Sequence, residues 1–298
     1  MIPKMPSWTD LGRKTQTSVL QEALHDLDLD YTVVMKPCAA VDPTDPDMSP
    51  IYIPHRMVTI REDQNLPLGI VSDRYGIIQN QDALSFVEDI NDLTIVAGGH
   101  TSWNSVWMIG ELPEVTILGD NIKPHLIFQT SHDGSVPLKA TICMLRVICQ
   151  NQFSYAFEHS PSTVRVHHRG DVETKMRAAS EVLQNVESYI KEYDSLATTL
   201  ASKKLTPARF NKILETFFKI PGEGEGSKRS IIRAEEARDD FMNAYNSDDN
   251  GNFIGTRWGI VNAYTDYMTH RSVKNKESVF FDTMESRVLP QMIDMLVA

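Results

Sequence analysis

The chain is poor in cysteine. Cys38, Cys143 and Cys149 are the only three in 298 residues. A sparse, odd set does not make a disulfide framework, and it suits free thiols in a reducing cytoplasm. Long apolar runs are missing too. No stretch approaches the roughly 18 apolar residues that a membrane span needs, so no membrane partner is expected. The opening Met1-Ile2-Pro3-Lys4-Met5-Pro6 lacks the apolar segment and small-residue cleavage site of a signal peptide, so none is expected. Positive charge is in deficit as well, with a net charge of -11. Non-specific nucleic-acid binding rests on neutralising phosphates, so an acidic chain is a poor general binder. A nucleic-acid site would have to be a local basic groove, with the excess acid carried elsewhere.

What is present is ordinary for a globular protein: 41% hydrophobic and 23% charged residues. The length allows one large core or two modest ones. The first part alternates between strand and helix patterns. Residues 16–27 place Val19, Leu20 and Leu24 at helical spacing. Strands are expected at 31–34, 51–53, 57–60 and 68–71, with a proline- and aspartate-rich loop over 37–50. Ser72-Asp73-Arg74 reads as a tight turn into a strand over 75–78, followed by a helix capped by Asn80. Segments 94–97 and 105–109 form a hairpin. Segment 126–129 reads as a strand, and 138–142 as a strand or the start of a helix. Between them, Ser131-His132-Asp133-Gly134 makes a turn.

After a short strand at 164–167 the pattern turns helical. Met176, Ala179, Leu183, Val186, Ile190, Tyr193, Ala197 and Leu200 form a seam over one long helix from Asp171 to about Ser202, read first as a bundle core helix. Further helices are expected from Thr206-Pro207, over 231–245, over 258–268 and over 284–296, with a glycine-rich linker at 221–226. Strands followed by helices define an α+β fold: an antiparallel-rich mixed sheet domain over 1–170, then a helical domain over 171–298 with one long helix.

Several chemical motifs dissolve on inspection. The alternating glycines of 222–226 have no preceding strand and no following Lys-Ser/Thr pair, and their glutamates repel phosphate. Asn246, Asp248 and Asn250 follow a calcium-loop spacing, but its last position is Arg257 where a glutamate is needed. Adjacent His167 and His168 point in different directions on a strand, and no cysteine stands at ligand spacing. A metal site assembled from His132, Asp133 and His168 stays open as an alternative, but neither metal nor cofactor is expected. Three neighbours in one turn cannot act as a Ser-His-Asp triad.

Two features carry more. The first is a basic stretch of Lys139, Arg146, Arg165, His167, His168, Arg169, Lys175 and Arg177. Its cations can meet phosphates, while Gln150 and Asn151 can hydrogen-bond bases or sugars. Trp103 and Trp107, on or beside the hairpin loop, can stack on unpaired bases. The alternative is a solvated charged face with two buried tryptophans. The second is a polar helix face of Asn262, Asp266 and His270, spaced i, i+4, i+8. It reads first as a hydrogen-bond network, and otherwise as a binding or catalytic face.

Five signatures recur in order: Trp8…Gly12; Val71-Ser72-Asp73-Arg74-Tyr75 with Gln79-Asn80; Ser131 to Ser135; Arg146 to Asn151; and Thr256 to His270. Together they make the chain resemble a family of phage- and plasmid-borne proteins of unknown function. The resemblance runs over nearly the whole chain and implies expression from a phage or plasmid in the cytoplasm of a bacterial cell. It transfers no catalytic residue. The leading expectation is a non-enzymatic nucleic-acid-binding protein of DNA metabolism that binds or anneals single-stranded DNA as a homo-oligomer. In outline its strands and basic helix are similar to Rad52-like annealing proteins, an analogy of fold alone. Two alternatives stand beside it. One is a hydrolase using His132, Asp133, Asp266 and His270. The other is a protein whose acidic surface binds a host or phage protein and blocks defence.

Overall fold

The structure is a computed structural model describing residues 12–101, 104–146, 164–168, 186–222, 225–270 and 288–298. It is an α+β fold, and every strand pair in it is antiparallel. The larger sheet contains β1 (Arg13–Thr17), β5 (Thr94–Thr101), β6 (Ser105–Glu111), β8 (Asp120–Ser131), β9 (Leu138–Arg146) and β10 (Val164–Val166) in that spatial order. β7 (Val115–Ile117) pairs with β8. The smaller sheet is β2 (Val33–Val41), β3 (Pro50–Arg61) and β4 (Leu66–Ser72).

The hairpin at 94–109 forms as expected, although its glycines are absorbed into strand: Gly98 and Gly99 pair with Met108 and Trp107. Segment 138–142 resolves as strand, because β8 and β10 flank β9 and take up both of its edges. The proline-rich loop is shorter than expected. β2 runs on through Pro37 to Val41, and Pro37 is tolerated because β2 is an edge strand. Segments 51–53 and 57–60 are one strand, interrupted where His55 takes φ +58°.

The expected helix over 16–27 begins at Leu20, giving α1 (Leu20–Asp26). Residues up to Thr17 pair with β5 instead. Residues 75–78 form no strand. Their buried apolar members, Tyr75 and Ile78, face inward from an irregular segment. It leads into α2 (Asn80–Leu84), which tightens into a 3-10 turn over Ser85–Asp89.

The helices are α3 (Val186–Ser202), α4 (Pro207–Phe217), α5 (Lys228–Tyr245), α6 (Arg257–His270) and α7 (Val288–Val297). Thr206 caps α4 by accepting from Arg209 N at 3.3 Å, with Pro207 in the first turn. The part of the long-helix seam before Val186 lies outside the described residues. Within α3, Tyr189, Tyr193, Ala197 and Leu200 are buried. Tyr193 meets Trp258 of α6 edge-on, with ring centroids 5.8 Å apart. This stretch is therefore a bundle core helix, and the described part of its seam packs within the chain. One continuous hydrophobic cluster runs from the sheets through Phe128 and Ile142 to Tyr193, Phe241 and Trp258. No helix among the described residues is long and apolar enough to cross a membrane.

Candidate functional site: a polar cleft beside the β8–β9 turn

The inward face of the smaller sheet packs against the β8–β9 turn, through the cross-strand pair Thr59 and Gly69. Thr59 Oγ1 donates to the His132 carbonyl at 2.7 Å, which fixes β3 to the turn. Gly69 of β4 lies so close to Asp133 that a Cβ at that position would collide with the Asp133 side chain. The turn itself closes through Gly134 at φ +76°, a conformation glycine adopts at little cost. Beside this junction opens a cleft of about 380 Å³. One wall is Arg56, Val71 and Ser72 of the smaller sheet; the other is Asp133 and Gly134 of the turn, with His167 and His168 beyond β10. Tyr75 forms the floor.

Each polar group in this floor is held in place. Tyr75 donates its hydroxyl to the Ser131 carbonyl at 3.0 Å, and burial pushes its pKa up. Its ring stacks on His168 with centroids 4.9 Å apart. His168 Nε2 lies 3.2 Å from Thr130 Oγ1 and Nδ1 lies 3.4 Å from the Gly76 carbonyl, while Gly76 N donates to the His168 carbonyl. Burial lowers the pKa of His168, so the ring is neutral at pH 7.

Asp133 is the acid of the cleft. Its Oδ2 accepts from Asn104 Nδ2 at 2.5 Å, and its Oδ1 accepts from Ser135 N at 2.9 Å and Ser135 Oγ at 2.6 Å. Burial pushes this carboxyl up, but the hydrogen bonds from Ser135 and Ser131 outweigh it and leave it below its ordinary value. Asp133 is therefore a charged, internally satisfied wall rather than an uncommitted acid or base. Arg56, His167 and Arg165 are exposed, and Arg165 and His167 share one face of the strand that ends in the cleft.

Behind the cleft lies a buried network. His132 is 1% exposed. Its Nε2 lies 3.0 Å from Asn80 Oδ1, and Asn80 Nδ2 donates to the Leu29 carbonyl at 3.0 Å. Asn80 thus faces its oxygen to the ring, which places the imidazole hydrogen on Nε2. Burial first, and the neighbouring His168 and His100 next, lower the pKa of His132 to about 4. Further back, buried Arg61 bonds to Asp28 at 2.7 Å and Asp63 at 2.9 Å. It also covers the Tyr31 ring at 4.1 Å. These contacts tie α1 and the smaller sheet together. Asn80 was expected to cap its helix, but the N-cap is Gln79, because the Asn80 amide is spent on this network.

The residues singled out from sequence scatter. His168 reaches the cleft. Arg165 is exposed on β10, directly opposite Lys139 of β9, but Lys139 is only 5% exposed and is not offered as a surface cation. Trp107 is 2% exposed, so the expectation that it stacks on bases is corrected: strand alternation puts its ring on the face of β6 opposite Val106 and Met108, covered where it lies against Gly12. Trp103, Gln150, Asn151, Arg169, Lys175, Arg177 and the side chain of Arg146 lie outside the described residues. In the helical part, Asn262 is buried and Asp266 is half-buried on α6. The side chain of His270 lies outside the described residues. His132, proposed for hydrolysis, has almost no surface. Among the described residues no group of three or more metal-ligating side chains comes together. Arg56, Ser72 and Tyr75 were missed as site residues. Two signatures, Val71 to Tyr75 and Ser131 to Ser135, converge on the cleft, and that convergence is the signal that singles it out.

The fold and cleft define an antiparallel α+β protein with an open polar site at the meeting of its two sheets. A family model described as a domain of unknown function (DUF932) matches residues 67–287, and the chain belongs to that family. No curated protein and no solved structure matches it.

Proposed function

We propose that the protein binds single-stranded nucleic acid through this cleft, as part of the DNA metabolism of a phage or plasmid in a bacterial cytoplasm. The observation that carries the reading is the cleft itself. At about 380 Å³ it is of a size for one nucleotide unit and far too small for a duplex. Arg56 and His167 stand at its walls with Asp133, whose carboxylate is already held by Asn104 and Ser135, and Arg165 continues the basic row along β10. Ser72 adds a hydroxyl, and the buried Tyr75–His168 ring stack holds the floor beneath it rigid. The row is local, which reconciles binding with an acidic chain. Few phosphates are neutralised, so affinity is modest and the salt dependence shallow, with a slope of about -0.7 per phosphate contact for a single strand.

The test is a low-salt anisotropy titration with fluorescent single- and double-stranded oligonucleotides. Single strands bind more tightly than duplex. Arg56→Glu with Arg165→Glu weakens binding about tenfold or more without moving the melting temperature. Absence of binding by the unaltered protein at tens of micromolar overturns the reading and favours the acidic surface as a protein-binding one.

A further inference from the structure

The end of α7 gathers more positive charge than a helix end can use. Arg209, on the first turn of α4, donates from Nη1 to the Met295 and Leu296 carbonyls at 3.0 and 3.3 Å. Arg257, at the start of α6, donates from Nη1 to the Leu296 and Val297 carbonyls. Lys203, just after α3, donates from Nζ to the Val297 carbonyl at 3.4 Å. The Leu296 and Val297 carbonyls thus hold two cations each. Arg257 Nη1 and Lys203 Nζ each lie 3.4 Å from the same Val297 oxygen, so they stand within about 7 Å of one another, and like charges at that range repel.

The helix accounts for only part of this charge. Its macrodipole presents about half a negative charge at the C-terminus, against three cations. A guanidinium donates from Nε, Nη1 and Nη2, and here each spends only Nη1 on the carbonyls. Arg257 Nε is buried and meets no acceptor. Among the described residues no carboxylate pairs with any of the three cations, that of Ala298 included. The first turn of α4, which carries Arg209, holds no acid. Composition does not account for the gap, since the chain has 40 Asp and Glu against 29 Lys and Arg. Burial first, and the neighbouring Arg209 charge next, hold the Arg257 pKa below its ordinary value, and no acid opposes them. The contacts with Val297 lie at the surface, so the cluster is open to an ion from solution.

We propose that Lys203, Arg209 and Arg257 bind a phosphate dianion at the surface of the helical part. The uncompensated charge selects an anion, and the arrangement selects phosphate over carboxylate. Charge-assisted N–H···O bonds are about 2.7–2.9 Å long. The oxygens of a carboxylate lie in one plane and suit a single guanidinium fork, whereas a tetrahedral phosphate turns an oxygen toward each of several separate heads. The ligand is free phosphate or the terminal phosphate of a nucleotide, which present the same oxygens. None of the three residues lines the cleft, so the site does not rest on the nucleic-acid reading.

Thermal melts of the full chain in inorganic phosphate test the site, with sodium chloride adjusted to hold ionic strength constant. Millimolar phosphate raises the melting temperature by about 2–3 °C over chloride alone. Lys203→Gln with Arg209→Gln removes that increment and raises the phosphate dissociation constant about tenfold or more, because glutamine still donates to a carbonyl but carries no charge. Arg56→Glu with Arg165→Glu keeps the increment, which separates this site from the cleft. If the double glutamine variant does not fold, Lys203→Gln alone gives up one surface contact and weakens phosphate in the same direction. Thymidine monophosphate in place of inorganic phosphate identifies the source: tighter binding assigns a nucleotide, and equal or weaker binding assigns the free ion. Phosphate that stabilises the chain no more than chloride overturns the inference. So does an increment that survives the loss of the Lys203 and Arg209 charges.

Discussion

At the scale of single residues, His132 shows how placement sets chemistry. Its pKa is about 4 in the fold against 6.5 for the ordinary side chain, and burial is the main cause. The unfolded chain therefore takes up a proton first as pH falls. The stability this residue supports is complete above pH 6.5 and is lost progressively down to about pH 4. A shift of that size corresponds to about 3 kcal/mol. His168 and His100 are shifted in the same direction by burial, and steepen the loss. Urea melts between pH 7 and 4 should show this decline. His132→Asn should flatten it while lowering stability at pH 7. A variant with an unchanged pH profile would remove His132 as its source. Gly69 gives a second residue-scale prediction. A methyl group there collides with Asp133, so Gly69→Ala should push the turn away from β4 and distort the cleft wall. Oligonucleotide affinity should fall further than the loss of melting temperature accounts for.

At the scale of elements, α7 shows why Arg257 belongs to a signature. Arg257 Nη1 donates to the carbonyls of Leu296 and Val297, and Arg209 Nη1 donates to Met295 and Leu296 at 3.0 and 3.3 Å. Two guanidinium groups thus satisfy the last carbonyls of α7 and oppose the negative end of its dipole. Arg257→Ala should cost about 1–3 kcal/mol. Arg257→Lys should recover little of it, because an ammonium lacks the planar fork. Denaturant melts measure both, and hydrogen exchange should place the loss in α7. Asn250 plays a similar part upstream. Its Nδ2 donates to the Tyr245 and Gly259 carbonyls at 2.8 and 3.1 Å, joining α5 to α6. The calcium-like spacing around it is thus the record of a buried junction, and Asn250→Ala should cost about 1–3 kcal/mol in the same assay.

At the scale of the whole molecule, the hydrophobic cluster has no break between sheets and helices. The packing of β9 against α3, and of α3 against α6 through Tyr193 and Trp258, makes separate melting of the two parts costly. Trp107 reports on the larger sheet and Trp258 on the helices. Unfolding curves from variants retaining one or the other tryptophan should coincide. Transitions separated along the denaturant axis would show two independent units.

Local chemistry determined much of this protein from sequence. Thr206-Pro207 begins α4 because a hydroxyl cap and a fixed φ need no distant partner. Gly134 closes its turn for the same kind of reason, and the alternating apolar residues of 94–109 make a hairpin whose partners are neighbours in the chain. The order of strands before helices was enough for the α+β class. Tertiary structure decided what depends on distant partners. Thr17 joins a strand because β5 lies beside it, and Asn80 gives up its capping role because His132 and Leu29 reach it across the fold. Lys139 and Trp107 are buried by what covers the faces of their sheet, as Gly12 covers the Trp107 ring. The cleft joins residues 56–75 to residues 133–168, and no spacing rule spans that separation. Helix caps and tight turns are settled within a few residues; burial and convergence are settled by which surfaces meet.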